Sequence, residues 1–144
     1  RCWVWERGMG VFESETEFYK CIGGLLERMK DDPALYESIA DSGMVARFRY
    51  LDPDAVVTID ARKGVNDILF GDSEIPADIE MSMKADVAHR FWMGKVNVIA
   101  EVMAGRVSYR GPLSKLTRLL PLLKPAIRLY PDHLRSIGYE RLLL

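Results

Sequence analysis

Residues Phe91–Leu123 read FWMGKVNVIAEVMAGRVSYRGPLSKLTRLLPLL, and Gly94, Gly105 and Gly111 divide this stretch into four pieces. The first piece ends a helix at Gly94-Lys95. Asn97 can cap the next helix, whose apolar positions are Val98, Ile99, Val102 and Met103, and Gly105 is placed to stop it. Val107 and Tyr109 then alternate with Arg106, Ser108 and Arg110, the period of a strand. Gly111-Pro112 opens a Leu-rich helix in which Leu113, Leu116, Leu120, Leu123, Ile127 and Tyr130 follow a three-four spacing. Pro121 and Pro125 each remove a backbone donor, which predicts a kink or two consecutive helices, and Pro131 starts a final turn or short helix. The stretch holds no nucleophile-base pair, metal-ligand cluster or phosphate loop. It holds much bulky apolar surface, which can fill a core or line a cavity.

Upstream, Ser14-Glu15-Thr16-Glu17 reads as a capping box. Phe18, Cys21, Ile22, Leu25 and Met29 mark one face of the helix it starts. Asp32 caps a second helix with Pro33 at its first position and Leu35, Tyr36 and Ile39 on its apolar face. The period then drops to two. Met44, Ala46, Phe48 and Tyr50 alternate with Val45, Arg47, Arg49 and Leu51. After the turn Asp52-Pro53-Asp54, Val57, Ile59 and Ala61 alternate with Val56, Thr58 and Asp60. Ile68, Leu69 and Phe70 form a third strand, and Ile79, Met81 and Met83 alternate with polar neighbours in a fourth. Short turns predict an antiparallel meander, apolar on one side and solvated on the other. Asp86 can cap a short helix carrying Val87, Ala88, Phe91 and Trp92. The expected architecture is α+β, a five-stranded mainly antiparallel sheet with helices covering one face. The late fifth strand must return to an earlier one, and helical crossovers of this kind can leave a cavity between layers.

The chain has 144 residues, 49% of them hydrophobic, with net charge −1. That fits one soluble globular domain and argues against a nucleic-acid binder. The expected divisions are an N-terminal arm over 1–13, a domain over 14–138 and a tail over 139–144. Arg1–Gly10 carries two tryptophans and no clear period. The charge is uneven: Arg106–Leu144 carries Arg106, Arg110, Lys115, Arg118, Lys124, Arg128, Arg135 and Arg141 against Asp132 and Glu140, a local net charge of +6. Such an end can meet an anionic lipid surface or phosphorylated ligand, or can simply be the solvated face of an amphipathic helix. Cys2 and Cys21 form no CxxC pair, which fits a reducing, cytoplasmic setting. No apolar run reaches the length of a transmembrane helix. His89 and His133 have no ligand-spaced partners, so no metal is expected. Asp31/Asp32 and Asp52/Asp54 flank prolines in cap and turn contexts. No GxSxG or P-loop pattern occurs, and no enzyme activity or cofactor is expected. Met81, Met83, Met93 and Met103 supply pliable apolar surface, suited either to repacking around ligands or to an ordinary core.

The order of elements, and above all Gly94–Leu123, resembles the sterol carrier protein 2 family. Gly94-Lys95 matches a helix ending in Gly-Lys, Gly105–Gly111 its Gly-basic-apolar strand, and the helix from Pro112 its Leu-rich helix; the similarity spans roughly Phe18–Leu123. The resemblance implies a hydrophobic tunnel holding a sterol, fatty acyl chain or acyl-CoA. It implies that Phe91, Trp92, Val98, Ile99, Val102, Met103, Leu116, Leu119, Leu120 and Leu123 line or lid the tunnel. Phe48, Ile59, Met81 and Met83 would be its floor, and Phe70 another contact. Lys115, Arg118, Lys124 and Arg128 would meet a membrane or headgroup. The chain departs from the family by lacking a Ser-Lys-Leu-type end and by its proline-interrupted extension, so a bacterial-type relative with an unidentified lipid is equally open. The expected function is non-enzymatic lipid binding and transfer, as monomer or homodimer without nucleic acid. The alternative is an accessory or interaction module of this fold that dimerises or serves a partner enzyme.

Overall fold

The computed structural model describes residues 11–143 except positions 64 and 66; the proposed arm therefore lies mostly outside the described residues. The first helix, α1, consists of Glu15–Phe18, a π-helical segment Tyr19–Gly23, and Gly24–Met29. Ser14 Oγ accepts from the Glu17 N–H at 3.1 Å, as the capping pattern requires. The Glu17 carboxylate takes the Glu13 N–H at 3.1 Å, one residue earlier than a regular capping box. In the π segment the Gly24 N–H reaches back to Tyr19 O, and His133 Nε2 donates to Lys20 O at 3.0 Å. A widened turn frees carbonyls from the helical ladder, and here a side chain from the end of the chain uses one. Helix α2, Pro33–Ser42, starts at Asp32, whose Oδ1 accepts from Ala34 N–H and Leu35 N–H at 3.1 and 3.2 Å.

The strands are β1 (Val45–Leu51), β2 (Ala55–Asp60), β3 (Asp67–Phe70), β4 (Ile79–Lys84) and β5 (Ser108–Arg110), arranged in the order β3-β2-β1-β4-β5. Three pairings are antiparallel and β1–β4 is parallel. The expected α+β sheet is present, but the meander is corrected. β4 does not follow β3 at the edge; it pairs with the far side of β1, and residues 71–78 carry the chain across the sheet. This crossover covers part of the face expected to be solvated. Asp78 holds the Val45 N–H through Oδ2 at 2.8 Å, and Arg47 donates to Thr58 Oγ1 at 3.1 Å and to Ile75 O. Arg47 and Thr58 are consequently buried. Alternation alone gives each strand's two faces but not its neighbours, so pairing order was not legible from period.

Helices cover the opposite face. Helix α3 spans Ala85–Trp92, α4 Val98–Met103 and α5 Leu113–Ser136. Leu116, Leu119, Leu123, Tyr130 and Leu134 of α5 and Phe18, Ile22, Leu25 and Leu26 of α1 are buried with Phe48, Tyr50, Val57 and Met81 of the sheet. Of the two expected alternatives, consecutive helices do not occur: Pro121, Pro125 and Pro131 all lie inside the single helix α5. Pro121 and Pro125 sit one turn apart on the exposed side. There water can satisfy the carbonyls that their missing N–H groups leave free, so the helix continues where a buried proline would disrupt it.

The C-terminal 3-10 turn, Glu140–Leu142, packs inward. Leu142 is buried, and Arg141 bonds the Glu17 carboxylate at 2.7 Å. His89 is fully buried between them and α5. Its Nε2 contacts Leu142 O at 2.9 Å and its Nδ1 contacts Tyr130 Oη at 2.8 Å. A carbonyl only accepts, so Nε2 carries the proton and Nδ1 accepts from the Tyr130 hydroxyl. Burial lowers the His89 pKa, opposed by the Leu142 contact and Asp86. The neutral form is thus favoured in the folded chain, while the unfolded chain titrates near 6.5. Below that pH the unfolded chain binds more protons, so this contribution to stability is present above about 6.5 and falls as pH drops through the folded pKa. Urea titrations at stepped pH should show the midpoint falling on acidification through this window; a midpoint shared with a His89→Gln variant throughout would exclude His89 as the source.

Candidate functional site

The sheet and helices enclose a cavity of about 30 Å³. Strand alternation and register build its floor. Phe48 and Tyr50 of β1 point to the helix side, β4 sets Met81 beside Phe48 and Met83 beside Tyr50, and Ile59 of β2 completes it. Helical spacing builds the walls: Ala88, Phe91 and Trp92 from α3, Val98 from α4, and Leu119, Leu120 and Leu123 from α5, with Leu26 from α1. Phe91 and Trp92 pack edge to face at 4.8 Å between ring centres.

Of the residues expected at a ligand site, the structure brings Phe48, Ile59, Met81, Met83, Phe91, Trp92, Val98, Leu119, Leu120 and Leu123 around this one space. Five others lie elsewhere. Phe70 is partly exposed and packs edge to face on Tyr19 at 5.5 Å. Ile99 and Val102 are half-buried against the core, and Met103 is 84% exposed. Leu116 is fully buried in core packing. The reason is the shortness of α4: in a six-residue helix only one residue, Val98, turns into the cavity. Lys115 forms an ion pair with Asp78 at 3.4 Å, while Arg118, Lys124 and Arg128 stand exposed on α5.

Three lining residues were missed: Leu26, Tyr50 and Ala88. The signal for two was present. Tyr50 shares the alternation of Phe48, and Ala88 precedes Phe91 by one helical turn. Leu26 had no such mark, because it depends on how α1 crosses the sheet. Leu26 and Ile59 also line a second apolar space of about 20 Å³, with Met29, Lys30, Tyr36, Ile39 and Ile68. A wider hollow of about 530 Å³ beside Tyr36, Asp41, Arg62 and Lys63 is a polar, largely exposed surface feature rather than an enclosed site.

Among the described residues, the side chains that line the cavity carry no charge. Burial pushes the Tyr50 phenol well above its usual range, so it remains a neutral hydroxyl. Cys21 is likewise pushed up to about 12 by burial and is a poor nucleophile. Among the described residues no group of His, Cys, Asp and Glu is arranged to hold a metal, and no helix is long and apolar enough to cross a membrane. An apolar, uncharged enclosure can exclude water and surround hydrocarbon.

No family model matches the chain, and no curated protein sequence matches it. Solved structures do match its fold. Sterol carrier protein 2 from Yarrowia lipolytica, in its apo form, aligns with a TM-score of 0.61 at 22% identity over 73% of this chain and 88% of that one. Sterol carrier protein domain 2 of Helicoverpa armigera aligns at 0.58 with 16% identity, over 76% and 89%. A structure described as UbiJ-SCP2, a ubiquinone synthesis protein, aligns at 0.50 with 19% identity, over 65% and 77%. The chain therefore has the sterol carrier protein 2-like fold.

Proposed function

We propose that the protein is a non-enzymatic lipid carrier whose ligand occupies the space between sheet and helices. The observation that carries this reading is the uncharged lining of an enclosed cavity, gathered among the described residues from seven separate elements. The likeness in fold to sterol carrier proteins supports it. At about 30 Å³ the cavity in this form admits only one or two water-sized bodies. A lipid enters as Phe91, Leu120 and the methionine side chains repack, and methionine is the side chain best suited to do so. Each buried methylene contributes about 0.8 kcal/mol, so about ten contribute about 8 kcal/mol before immobilisation costs, and micromolar binding calls for a longer chain. In this reading 14–138 is the binding unit and 139–144 a tail, of which the turn Glu140–Leu142 packs on that unit, in a cytoplasmic setting. Arg118, Lys124 and Arg128 offer transient contacts to anionic headgroups, and Lys115 joins them by exchanging its Asp78 partner.

Native mass spectrometry of gently purified protein, followed by lipid extraction, tests the proposal. A co-purifying lipid mass is the expected result. Leu120→Trp should fill the half-buried side of the cavity and weaken uptake of fatty acids or sterols at least about tenfold, while circular dichroism stays native. Ligand-free protein that also ignores added fatty acids and sterols would falsify the carrier reading. The same spectra address the second reading, an accessory module, which the likeness to UbiJ-SCP2 and the exposed Met103 and Leu113 favour. That reading requires a lipid-free chain in a stable dimer or partner complex.

A further inference from the structure

Two neutral donors stand out in the cavity's lining. Among the described residues that line it, Tyr50 supplies the only side-chain oxygen and Trp92 the only side-chain N–H. Both residues are 5% exposed, so bulk water is largely excluded from them. Neither the hydroxyl nor the indole N–H has a hydrogen-bond partner among the described residues. The nearby Tyr19 hydroxyl does not serve, because it is engaged with Val56 O and Val56 N–H at 3.3 and 3.2 Å. Among the described residues, no side-chain donor or acceptor that is completely sealed lacks a partner. Each group therefore touches open space, and both residues line the cavity.

A buried donor without an acceptor is unfavourable, and a ligand that supplies the acceptor gains the difference. The acceptor that fits is uncharged. Among the described residues none that lines the cavity is cationic, and an ionised carboxylate moved into such surroundings without a counter-charge binds poorly or takes up a proton. We propose that the cavity selects an uncharged lipid bearing a carbonyl oxygen (an ester, ketone or quinone group), held by the Tyr50 hydroxyl with the Trp92 N–H as second donor. This rests on the lipid-carrier reading above and narrows its ligand class. Tyr50 is placed for the role by the sheet: its ring is fixed between Phe18, at 4.6 Å, and Phe48, at 6.5 Å, which positions the hydroxyl before any ligand arrives.

Calorimetric titration with methyl laurate, tridecane and laurate, each delivered from cyclodextrin, tests the assignment on the full chain. The wild type should bind the ester more tightly than the alkane, and laurate more weakly than the ester at neutral pH, tightening on acidification. Tyr50→Phe should weaken the ester about three- to tenfold and leave the alkane unchanged. The same substitution removes a donor that lacks an acceptor, so the melting temperature of the ligand-free protein should rise. Trp92→Phe should also weaken the ester more than the alkane. An ester affinity unchanged by Tyr50→Phe, or ester and alkane weakening together, overturns the assignment. So does a lower melting temperature for ligand-free Tyr50→Phe, which would mean that the hydroxyl already has a partner. Alkane binding with no preference for the ester removes this inference alone, whereas a wild type that takes up none of the three removes the carrier reading as well.

Discussion

Replacing His89 by Ala should lower the unfolding free energy by about 3–5 kcal/mol. The imidazole is fully buried and joins three parts of the chain: α3, which bears it, Tyr130 of α5, and the backbone of Leu142. It also meets Phe12 edge to face at 5.6 Å. Truncation deletes two hydrogen bonds, leaves the Tyr130 hydroxyl and Leu142 carbonyl without partners, and opens a void. Tyr130 is fully buried and Leu142 nearly so, so water cannot readily substitute. His89→Gln should recover part of the loss, since its amide can still donate to the Leu142 carbonyl. The measurement is equilibrium urea unfolding above pH 7, where the native histidine is neutral. A loss below about 1 kcal/mol for the Ala variant would show that the C-terminal turn is held by its other contacts, such as Arg141–Glu17.

The second large effect is expected at Gly111. Its φ is +127°, a conformation unfavourable to any L side chain. A Cβ here would lie 2.8 Å from the backbone oxygen of Asp78 and 3.1 Å from Ile79 Cγ2. Neither strain nor clash is relieved by turning a side chain, because the nearest atom is backbone. Gly111→Ala should therefore destabilise by about 2–4 kcal/mol and loosen β5 from β4, where Arg110 stands opposite Glu80. Gly105 is the natural control: its φ is +82° but a Cβ there meets nothing within 4 Å. Gly105→Ala should cost only about 1 kcal/mol. Equal melting temperatures for the two variants would contradict the role assigned to the Asp78 contact.

The contrast between these glycines shows what the sequence made legible. Both read as joints in Phe91–Leu123, but only three-dimensional proximity separates the crowded one from the open one. The period of two correctly set Phe48, Met81 and Met83 on one face, and helical spacing set Trp92 and Leu123 on another. What periodicity lacked was relative placement. It could not tell that β4 runs parallel to β1, and so it gave a meander in place of a crossover. It counted Met103 with Val98 because both are apolar in a short helix, although a six-residue helix can bury only one edge. It allowed a break at Pro121 and Pro125 as well as a kink because it carries no information on whether the freed carbonyls meet water. His89 passed as an isolated histidine because its partners are 41 and 53 residues away.

The crossover of 71–78 has a further consequence for how the molecule behaves in company. By placing β4 inside the sheet, it leaves β3 and β5 as the two edges. These are the shortest strands, four and three residues long. Asp67 begins one, capped by its ion pair with Lys30; Arg110 ends the other, facing Glu80. Strands β1 and β4, with their long apolar alternation, have both backbone sides occupied. Open rows of peptide groups are what recruit foreign strands in amyloid-like stacking, and brevity and charge at the rim are the usual defences. The strand order that encloses the cavity floor thus also withholds its stickiest segments from self-templated aggregation.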